Sequence, residues 1–302
     1  MEFLTGGVAA MGAVCFTNPL EVVKTRMQLQ GELKARGEHA IHYRNVFHAG
    51  FSIVKNEGTF ALQKGLAPAL GTQLFLNGAR LGIFQMAENR GYIKTKEGKV
   101  IFRNMVIFGA VGGCIGQFLS SPLYMMKTQL QAQAAKAVAV GFQHSHQGTW
   151  NAFRKIFNEY GIRGLYRGAS ASVPRTTVGS VFQLGSFEYM KQYLQTYDYF
   201  EDKPVLMSFL GSMAGGVAVS VSMTPFDLIL TRTYNQPTDK YGKGKYYANY
   251  LDCVYKIYKT EGLSAFYKGL GPMYLRLGPH TVLCMVFWDK LKSFQSRFDS
   301  TV

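Results

Sequence analysis

The sequence is poor in acidic residues for its length. Its 302 residues include only 18 Asp and Glu against 33 Lys and Arg, which gives a formal charge of +15 at pH 7. Such an excess indicates an anionic partner: nucleic acid, acidic lipid or an anionic substrate. Charged residues make up only 17% of the chain while 33 glycines and 14% aromatic residues are present, which excludes a disordered basic tail.

Cysteine is scarce, and no two cysteines form a CxxC pair. The four are widely separated: Cys15, Cys114, Cys253 and Cys284. This spacing excludes a zinc site and a disulfide scaffold, so we expect structural thiols and neither a metal nor a cofactor. Nucleic-acid modules and catalytic arrangements such as Ser-His-Asp are also missing. The sequence therefore predicts a protein that is not an enzyme and does not bind nucleic acid.

Apolar stretches of two alternating kinds divide the chain. Residues 3–20, 104–126 and 204–226 carry no charged side chain, whereas 66–87, 169–190 and 270–291 each carry one arginine: Arg80, Arg175 and Arg276. Stretches of this length can cross about 30 Å of hydrocarbon as helices. An arginine inside a bilayer costs about 2.5–3.5 kcal/mol, so we expect each to face protein or water rather than lipid. No Arg-rich presequence opens the chain, so we expect any organelle signal to be internal.

The chain is a threefold repeat with a period close to 103 residues. Three prolines mark it, each after a span rich in small residues, and we expect them to kink their helices: Pro19, Pro122 and Pro225. A glycine pair seven residues apart follows each proline, at Gly58 and Gly65 in the first repeat. The repeats are predicted to span residues 1–100, 101–203 and 204–302. Before each glycine pair, apolar residues at helical spacing predict a short amphipathic helix with basic surroundings, suited to an anionic leaflet.

The motif proline-x-acid-x-x-base, repeated at this period, resembles the mitochondrial carrier family over the whole chain. Further motifs, such as Arg276-Leu277-Gly278-Pro279-His280, are similar to the member 35 and yeast oxaloacetate carrier branch of that family. The resemblance implies an all-α membrane protein with six transmembrane helices in a threefold pseudo-symmetric barrel and three short matrix helices. It also implies the mitochondrial inner membrane, termini toward the intermembrane space, a monomer and contact with anionic lipid such as cardiolipin.

In that family, the acid of each proline motif pairs with the base of the next odd-numbered helix and closes the matrix end of the cavity. Here the resemblance implies a matrix gate of three pairs: Glu21–Lys127, Asp227–Lys24 and Tyr124–Leu230. The second repeat lacks its acid and the third lacks its base. Both losses fall on one expected pair, so neither leaves an unpaired charge in a low-dielectric site.

The opposite ends of the even-numbered helices are expected to form a cytosolic gate. Its predicted pairs are Gln85–Lys191, Glu188–Lys292 and Asp289–Glu88. Only the middle pair is an ion pair, so we expect the empty protein to rest open toward the cytosol. If the two carboxylates of the last pair meet, one of them has a raised pKa, and Glu88 becomes a candidate for proton coupling.

The arginines are the candidate substrate site. Arg175 and Arg276 each lie seven residues after the second glycine of a pair, which makes them symmetry equivalents, and we expect both about midway along their helices. Two guanidinium groups facing one cavity suit bidentate capture of carboxylates. In the family, Arg followed by Thr resembles the contact point of carboxylate carriers, which implicates Thr176. Additional candidate contacts are Arg80, Asn77, Gln73, Gln117 and His280.

These features predict a carrier of small dianions that works by alternating access. Oxaloacetate, malonate, a related dicarboxylate or keto acid and sulfate are the candidate substrates. A carrier of a phosphorylated three-carbon acid would use the same arginines and stays an alternative. A protein of this fold that transports nothing, or that leaks protons, is a third possibility.

Overall fold

The computed structural model describes residues 2–35, 41–93, 101–197, 199 and 204–299, and this part of the chain is almost wholly helical. It contains six long and three shorter α-helices. In chain order they are α1 (Glu2–Leu29), α2 (Val46–Glu57), α3 (Leu66–Asn89), α4 (Phe102–Ala132), α5 (Thr149–Leu165), α6 (Ser172–Leu194), α7 (Pro204–Asn235), α8 (Tyr250–Glu261) and α9 (Leu270–Asp299).

The six long helices close into a ring. Each packs against two others in the cyclic order α1, α3, α4, α6, α7, α9 and back to α1. Small residues permit the close approach: a side chain at Gly116 of α4 would bring its Cβ to 2.7 Å from the Leu76 carbonyl oxygen of α3. Glycine and other small residues are favoured at such contacts between membrane helices because they let backbones approach. The predicted six-helix barrel of the mitochondrial carrier fold is confirmed.

The second glycine of each pair forms a left-handed turn just before α3, α6 or α9, which are the second, fourth and sixth long helices. Gly65, Gly168 and Gly269 have φ angles of 71°, 76° and 89°, a region that residues with a Cβ rarely adopt. At Gly65 a Cβ would also lie 3.0 Å from the Lys127 carbonyl oxygen. The repeated glycine therefore meets a backbone requirement that occurs once in every repeat.

The three marker prolines lie inside helices. Pro19, Pro122 and Pro225 are interior residues of α1, α4 and α7, and each helix continues for ten or more residues past its proline. Proline in a helix interior removes one backbone hydrogen bond and crowds the preceding turn. A kink at each of these three positions stays a prediction.

Hydropathy alone identifies fewer membrane spans than the repeat predicts. Among the described residues, two helices are long and apolar enough to cross a bilayer by composition: Gly6–Leu29 and Arg103–Ala132. Helices α3, α6 and α9 carry arginine and amide side chains, which lower their mean hydropathy. Because Arg80, Arg175 and Arg276 contact side chains of other helices, a composition test underestimates the number of spans.

The short helices α2 and α8 begin in the same way. Asn45 accepts a hydrogen bond from the His48 backbone amide at 2.8 Å, and Asn249 accepts one from the Asp252 amide at 2.9 Å. An asparagine at this position satisfies an amide that the first turn leaves unpaired. Ala49 and Ile53 of α2 are buried, as are Cys253 and Ile257 of α8, while other apolar side chains remain exposed. Ala152 and Ile156 of α5 are buried as well, so all three predicted amphipathic helices have one face packed on the barrel.

Candidate functional site

The end of the barrel that contains Pro19, Pro122 and Pro225 is called the proline end here. Asp227 of α7 has more side-chain partners than any other described acidic residue at this end. Its Oδ2 lies 2.8 Å from Lys24 Nζ of α1 and accepts a hydrogen bond from Gln28 Nε2 at 3.0 Å. Its Oδ1 accepts from Arg175 Nε of α6 at 2.7 Å and from the Tyr124 hydroxyl of α4 at 3.4 Å. One fully buried carboxylate thereby joins four helices.

Glu21 of α1 has a parallel set of contacts. It forms an ion pair with Lys127 of α4, and its Oε1 lies 2.9 Å from Arg276 Nη1 of α9. The structure therefore contains both ion pairs of the predicted matrix gate. It also places two of the three candidate arginines, Arg175 and Arg276, against carboxylates of these pairs, which the sequence analysis did not anticipate.

Gate and arginines form one buried charge cluster with a positive excess. Glu21 and Asp227 supply two negative charges, and four cations contact them: Lys24, Lys127, Arg175 and Arg276. The lysine side chains are at most 7% exposed and the arginine side chains 13%. Among the described residues the cluster thus holds two more positive than negative charges. In a low-dielectric site, such an excess favours the entry of a dianion.

The third pair of the predicted gate is apolar. Tyr124 and Leu230 belong to one buried cluster, together with Tyr234 of α7. The Tyr124 ring also lies near two cations, with its centroid 5.0 Å from Lys127 Nζ and 5.5 Å from Arg175 Cζ. Tyrosine therefore replaces the missing acid of the second repeat in two ways: its hydroxyl meets Asp227 and its ring faces the cations.

The predicted depth of the arginines is wrong. Arg175 is the fourth residue of α6, and Arg276 is the seventh residue of α9. At 1.5 Å per residue, they lie only about 5 and 9 Å from the helix starts rather than midway. The helices begin later or run further than the apolar stretches suggested. As a result the arginines lie level with the gate carboxylates.

Arg80 lies toward the other end of the barrel and contacts a residue that the sequence analysis missed. Its Nη1 donates a hydrogen bond to Gln183 Oε1 of α6 at 3.4 Å. Arg80 and Gln183 each lie fifteen residues after the glycine that opens their helices, Gly65 and Gly168. The same symmetry rule that relates the two deeper arginines could have identified Gln183.

Three of the predicted substrate contacts, Asn77, Gln73 and Thr176, form hydrogen bonds within their own helices. Asn77 Nδ2 donates to Gln73 Oε1 at 2.9 Å, one turn away on α3. The Thr176 hydroxyl donates to the Ser172 carbonyl at 2.7 Å, and its side chain is buried against α4 at Gly113. In this structure Thr176 contributes to helix packing, while the amide pair on α3 stays partly exposed.

The last two candidates differ in how well their polar atoms are satisfied. Gln117 of α4 is fully buried, and its amide nitrogen and oxygen have no hydrogen-bond partner among the described residues. A buried amide without a partner costs free energy, so this side chain has both a donor and an acceptor to offer. His280 of α9 instead contacts Thr17 of α1, with 3.3 Å from Nδ1 to Oγ1, and Cys284 Sγ at 3.6 Å.

The predicted cytosolic gate is only partly covered. Glu188, Lys191 and Lys292 have side chains outside the described set, so their pairings stay predictions. Gln85 is exposed near the end of α3, and Asp289 is exposed ten residues before the end of α9. The interaction proposed between Glu88 and Asp289 also stays a prediction.

Glu32, a partly buried carboxylate in the segment after α1, has a raised pKa. Glu32 Oε1 accepts a hydrogen bond from the Tyr247 hydroxyl at 3.0 Å, and its Oε2 is buried without a hydrogen-bond partner among the described residues. Burial raises the pKa of Glu32 to about 7, although nearby Arg232 and Lys268 lower it and Glu261 adds to the rise. This carboxyl group therefore titrates near physiological pH.

Replacing Glu32 by glutamine is expected to flatten the pH dependence of stability. The folded state retains a proton that the unfolded chain has lost between pH 4.5 and 7, so wild-type stability falls as pH rises through this window. E32Q keeps the acceptor for Tyr247 and removes the titration. The difference in free energy of unfolding between wild type and E32Q should change by about 1–2 kcal/mol from pH 5.5 to pH 8. Thermal unfolding in detergent measures it.

Glu261→Gln is the matched control for this prediction. Glu261 is paired with Arg232 at 2.5 Å and with Lys268 at 2.6 Å, and these partners lower its pKa despite its burial. E261Q should therefore destabilise the protein at both pH values. Parallel pH profiles for wild type and E32Q would contradict the assignment.

Comparison with known proteins agrees with this architecture. The family profile described as mitochondrial carrier protein matches residues 1–92, 99–198 and 201–298. Solute carrier family 25 member 35 of Mus musculus is 51% identical over 99% of both chains. The mitochondrial oxaloacetate transport protein of Saccharomyces cerevisiae is 38% identical over 100% of this chain and 91% of its own. The mitochondrial citrate transporter E of Aspergillus niger is 37% identical over 98% of this chain and 94% of its own.

The three matched segments agree with the three structural repeats, and the relatives cover nearly the full chain. The family consists of transporters of the mitochondrial inner membrane, which a multi-pass helical ring with a buried charge cluster fits. The chain therefore belongs to the mitochondrial carrier family.

Proposed function

We propose that this carrier moves a small dianionic carboxylate, with oxaloacetate and malonate as first candidates and sulfate as a further dianion. The observation that supports this most directly is the excess of two positive charges in the buried cluster around Glu21 and Asp227. A dicarboxylate supplies two negative charges and matches the bidentate geometry of the arginines. Relatives named as oxaloacetate and citrate transporters support an anionic substrate of this size.

In the proposed mechanism the substrate competes with the gate for the arginines. Its carboxylates bind Arg175 and Arg276, which in this structure contact Asp227 and Glu21. Each gate acid then keeps its lysine as its one cationic partner in the cluster, and the total charge of the cluster falls to zero. Loss of the arginine contacts weakens the closed matrix gate, and neutralisation lowers the free energy needed to enclose the cavity. Bound substrate therefore favours the transition between the state open to the cytosol and the state open to the matrix.

The arrangement in the membrane is part of the proposal. The proline end of the barrel, with α2, α5 and α8, would face the matrix, and both termini would face the intermembrane space. Because the gate at the proline end is paired in this structure, the substrate would enter from the opposite side. We also propose that the carrier acts as a monomer and contacts anionic lipid such as cardiolipin through its basic matrix side.

Uptake into proteoliposomes tests the substrate class. Purified carrier is reconstituted and offered labelled oxaloacetate, malonate, sulfate, phosphoenolpyruvate and ADP in turn. We expect dicarboxylate uptake at least about 10-fold above ADP uptake, a difference that 1.4 kcal/mol of binding free energy suffices to produce. Protein-free vesicles give the background.

Three results would contradict the proposal in distinct ways. Dominant uptake of phosphoenolpyruvate would favour a carrier of phosphorylated three-carbon acids. Failure to take up any anion, with unchanged proton conductance, would indicate a protein that does not transport. A fatty-acid-dependent proton current without anion uptake would indicate a proton leak.

A further inference from the structure

Two of the three repeats contain an Arg–Glu–Lys triad outside the gate, in which the arginine and the glutamate are buried. In the first repeat, Glu57 at the end of α2 forms ion pairs with Arg26 and Lys64, the latter at 2.6 Å. In the third, Glu261 pairs with Arg232 at 2.5 Å and Lys268 at 2.6 Å. The lysines also donate to the carbonyls of equivalent glutamines, at 3.0 Å to Gln133 and 2.8 Å to Gln30.

The second repeat has lost two members of this triad and kept the third. Gln129 occupies the arginine position and Tyr160 the glutamate position, while Arg167 occupies the lysine position. Arg167 Nη2 still donates to the equivalent carbonyl, that of Gln236, at 3.4 Å. Its Nε is buried and has no hydrogen-bond partner among the described residues. A cation is therefore retained where its carboxylate partner is missing.

A cavity lies at the place where the triad is incomplete. It has a volume of about 310 Å³, and its walls come from α5 and from the segments before α5 and after α7. Ionisable side chains line it: His144, His146, Lys155, Glu159, Arg167 and Lys245. With neutral histidines, three cations and one carboxylate leave two positive charges in excess. This volume is several times that of one water molecule, which is roughly 30 Å³, so a small anion fits.

The histidines add hydrogen-bonding capacity to this cavity. His146 Nε2 lies 2.9 Å from Gln129 Oε1, and its Nδ1 is buried without a hydrogen-bond partner among the described residues. His144 stacks on His146 with ring centroids 5.4 Å apart. Burial lowers the pKa of both histidine rings and of the Arg167 guanidinium, which favours the neutral form of each ring.

We propose that this cavity binds a phosphate group, which supplies the negative charge that glutamate supplies in the other two repeats. A phosphate carries about −1.5 to −2 charges near pH 7 and several acceptor oxygens, which match the excess of +2 and donors on different segments. Bound phosphate would join α5 to the segments around His146 and Lys245. The site is separate from the substrate cluster, and it does not depend on the proposed function.

Thermal unfolding of the full chain in phosphate-free detergent buffer tests the site, with inorganic phosphate titrated at constant ionic strength. Saturating phosphate is expected to raise the unfolding midpoint of the wild type by about 2 °C or more, because a ligand that binds the folded state stabilises it. Arg167→Gln should lose this response. Tyr160→Glu restores a carboxylate beside Arg167, so it should raise the midpoint without phosphate and abolish the response.

Two control variants separate the site from other effects. Lys64→Gln changes the equivalent position of the first repeat, so it should lower the midpoint and keep the phosphate response. Arg175→Ala removes an arginine of the substrate cluster and should also keep the response. A phosphate response lost in R175A but retained in R167Q would overturn the proposal.

A parallel titration with cardiolipin identifies the source of the phosphate group. Stabilisation by inorganic phosphate that depends on Arg167 and Tyr160 supports a soluble ion. Stabilisation by cardiolipin alone, with the same dependence, supports a lipid headgroup in this cavity. If neither probe shifts the midpoint, or if both shifts survive R167Q and Y160E, the cavity is not a phosphate site.

Discussion

Replacing Arg175 or Arg276 by alanine is expected to reduce dicarboxylate uptake by about 10- to 100-fold, the equivalent of one lost charge-assisted interaction. Each arginine side chain is 13% exposed, contacts a carboxylate of the cluster and contributes to its two excess positive charges. Its removal takes away a substrate ligand and half of the positive excess. Initial uptake rates in proteoliposomes, normalised to folded protein, measure this effect.

Arginine-to-lysine variants at the two positions refine this prediction. R175K and R276K retain the charge but lose the planar pair of donors, so they should recover stability more than uptake. Arg163→Ala is the matched control, because Arg163 is exposed on α5 and lies outside the cluster. Full uptake by R175A and R276A would remove these residues from the site, even if the carrier still transports dicarboxylates.

Asp227→Asn is expected to be the most destabilising single substitution in the gate. The side chain keeps its size, but Lys24 and Arg175 lose their common counter-charge in a fully buried position. Breaking a buried ion pair from one side costs about 3–5 kcal/mol. The midpoint of thermal unfolding should fall strongly, and uptake should fall with it because the closed state of the gate is lost.

A second substitution distinguishes lost charge balance from lost packing. Lys24→Gln on the D227N background removes one uncompensated cation, so the double variant should be more stable than D227N alone. Asp252→Asn provides the control: its partner Lys256 is 40% exposed, and an exposed pair contributes about 0–1 kcal/mol. Equal midpoints for D227N and D252N would show that the buried cluster does not stabilise the fold.

The repeat period explains which features could be predicted from the sequence. The resemblance to the carrier family implied that Glu21 pairs with Lys127, and the structure contains this ion pair. Positions that share a place in the period share a place in the barrel, which identified Arg175 and Arg276 as equivalents. The prediction of their depth was wrong, because apolar stretches do not mark where a helix begins, and α6 begins only three residues before Arg175.

Other features depend on the distance across the barrel. The contacts of Arg175 with Asp227 and of Arg276 with Glu21 join residues from different repeats, and no spacing along the chain indicates them. The cavity beside Arg167 is a second example. Its lost triad members are visible in the sequence at Gln129 and Tyr160, but only the fold brings His146 and Lys245 to the same wall.

The repeat period predicts three units whose spans alternate between arginine-bearing and uncharged, and the resemblance to the carrier family predicts the ion pairs Glu21–Lys127 and Asp227–Lys24. That Arg175 and Arg276 join these pairs in one cluster with two excess positive charges is visible only in the folded protein. The reason is physical: whether an arginine meets a carboxylate depends on helix starts and packing distances of a few ångströms, which a linear pattern does not encode.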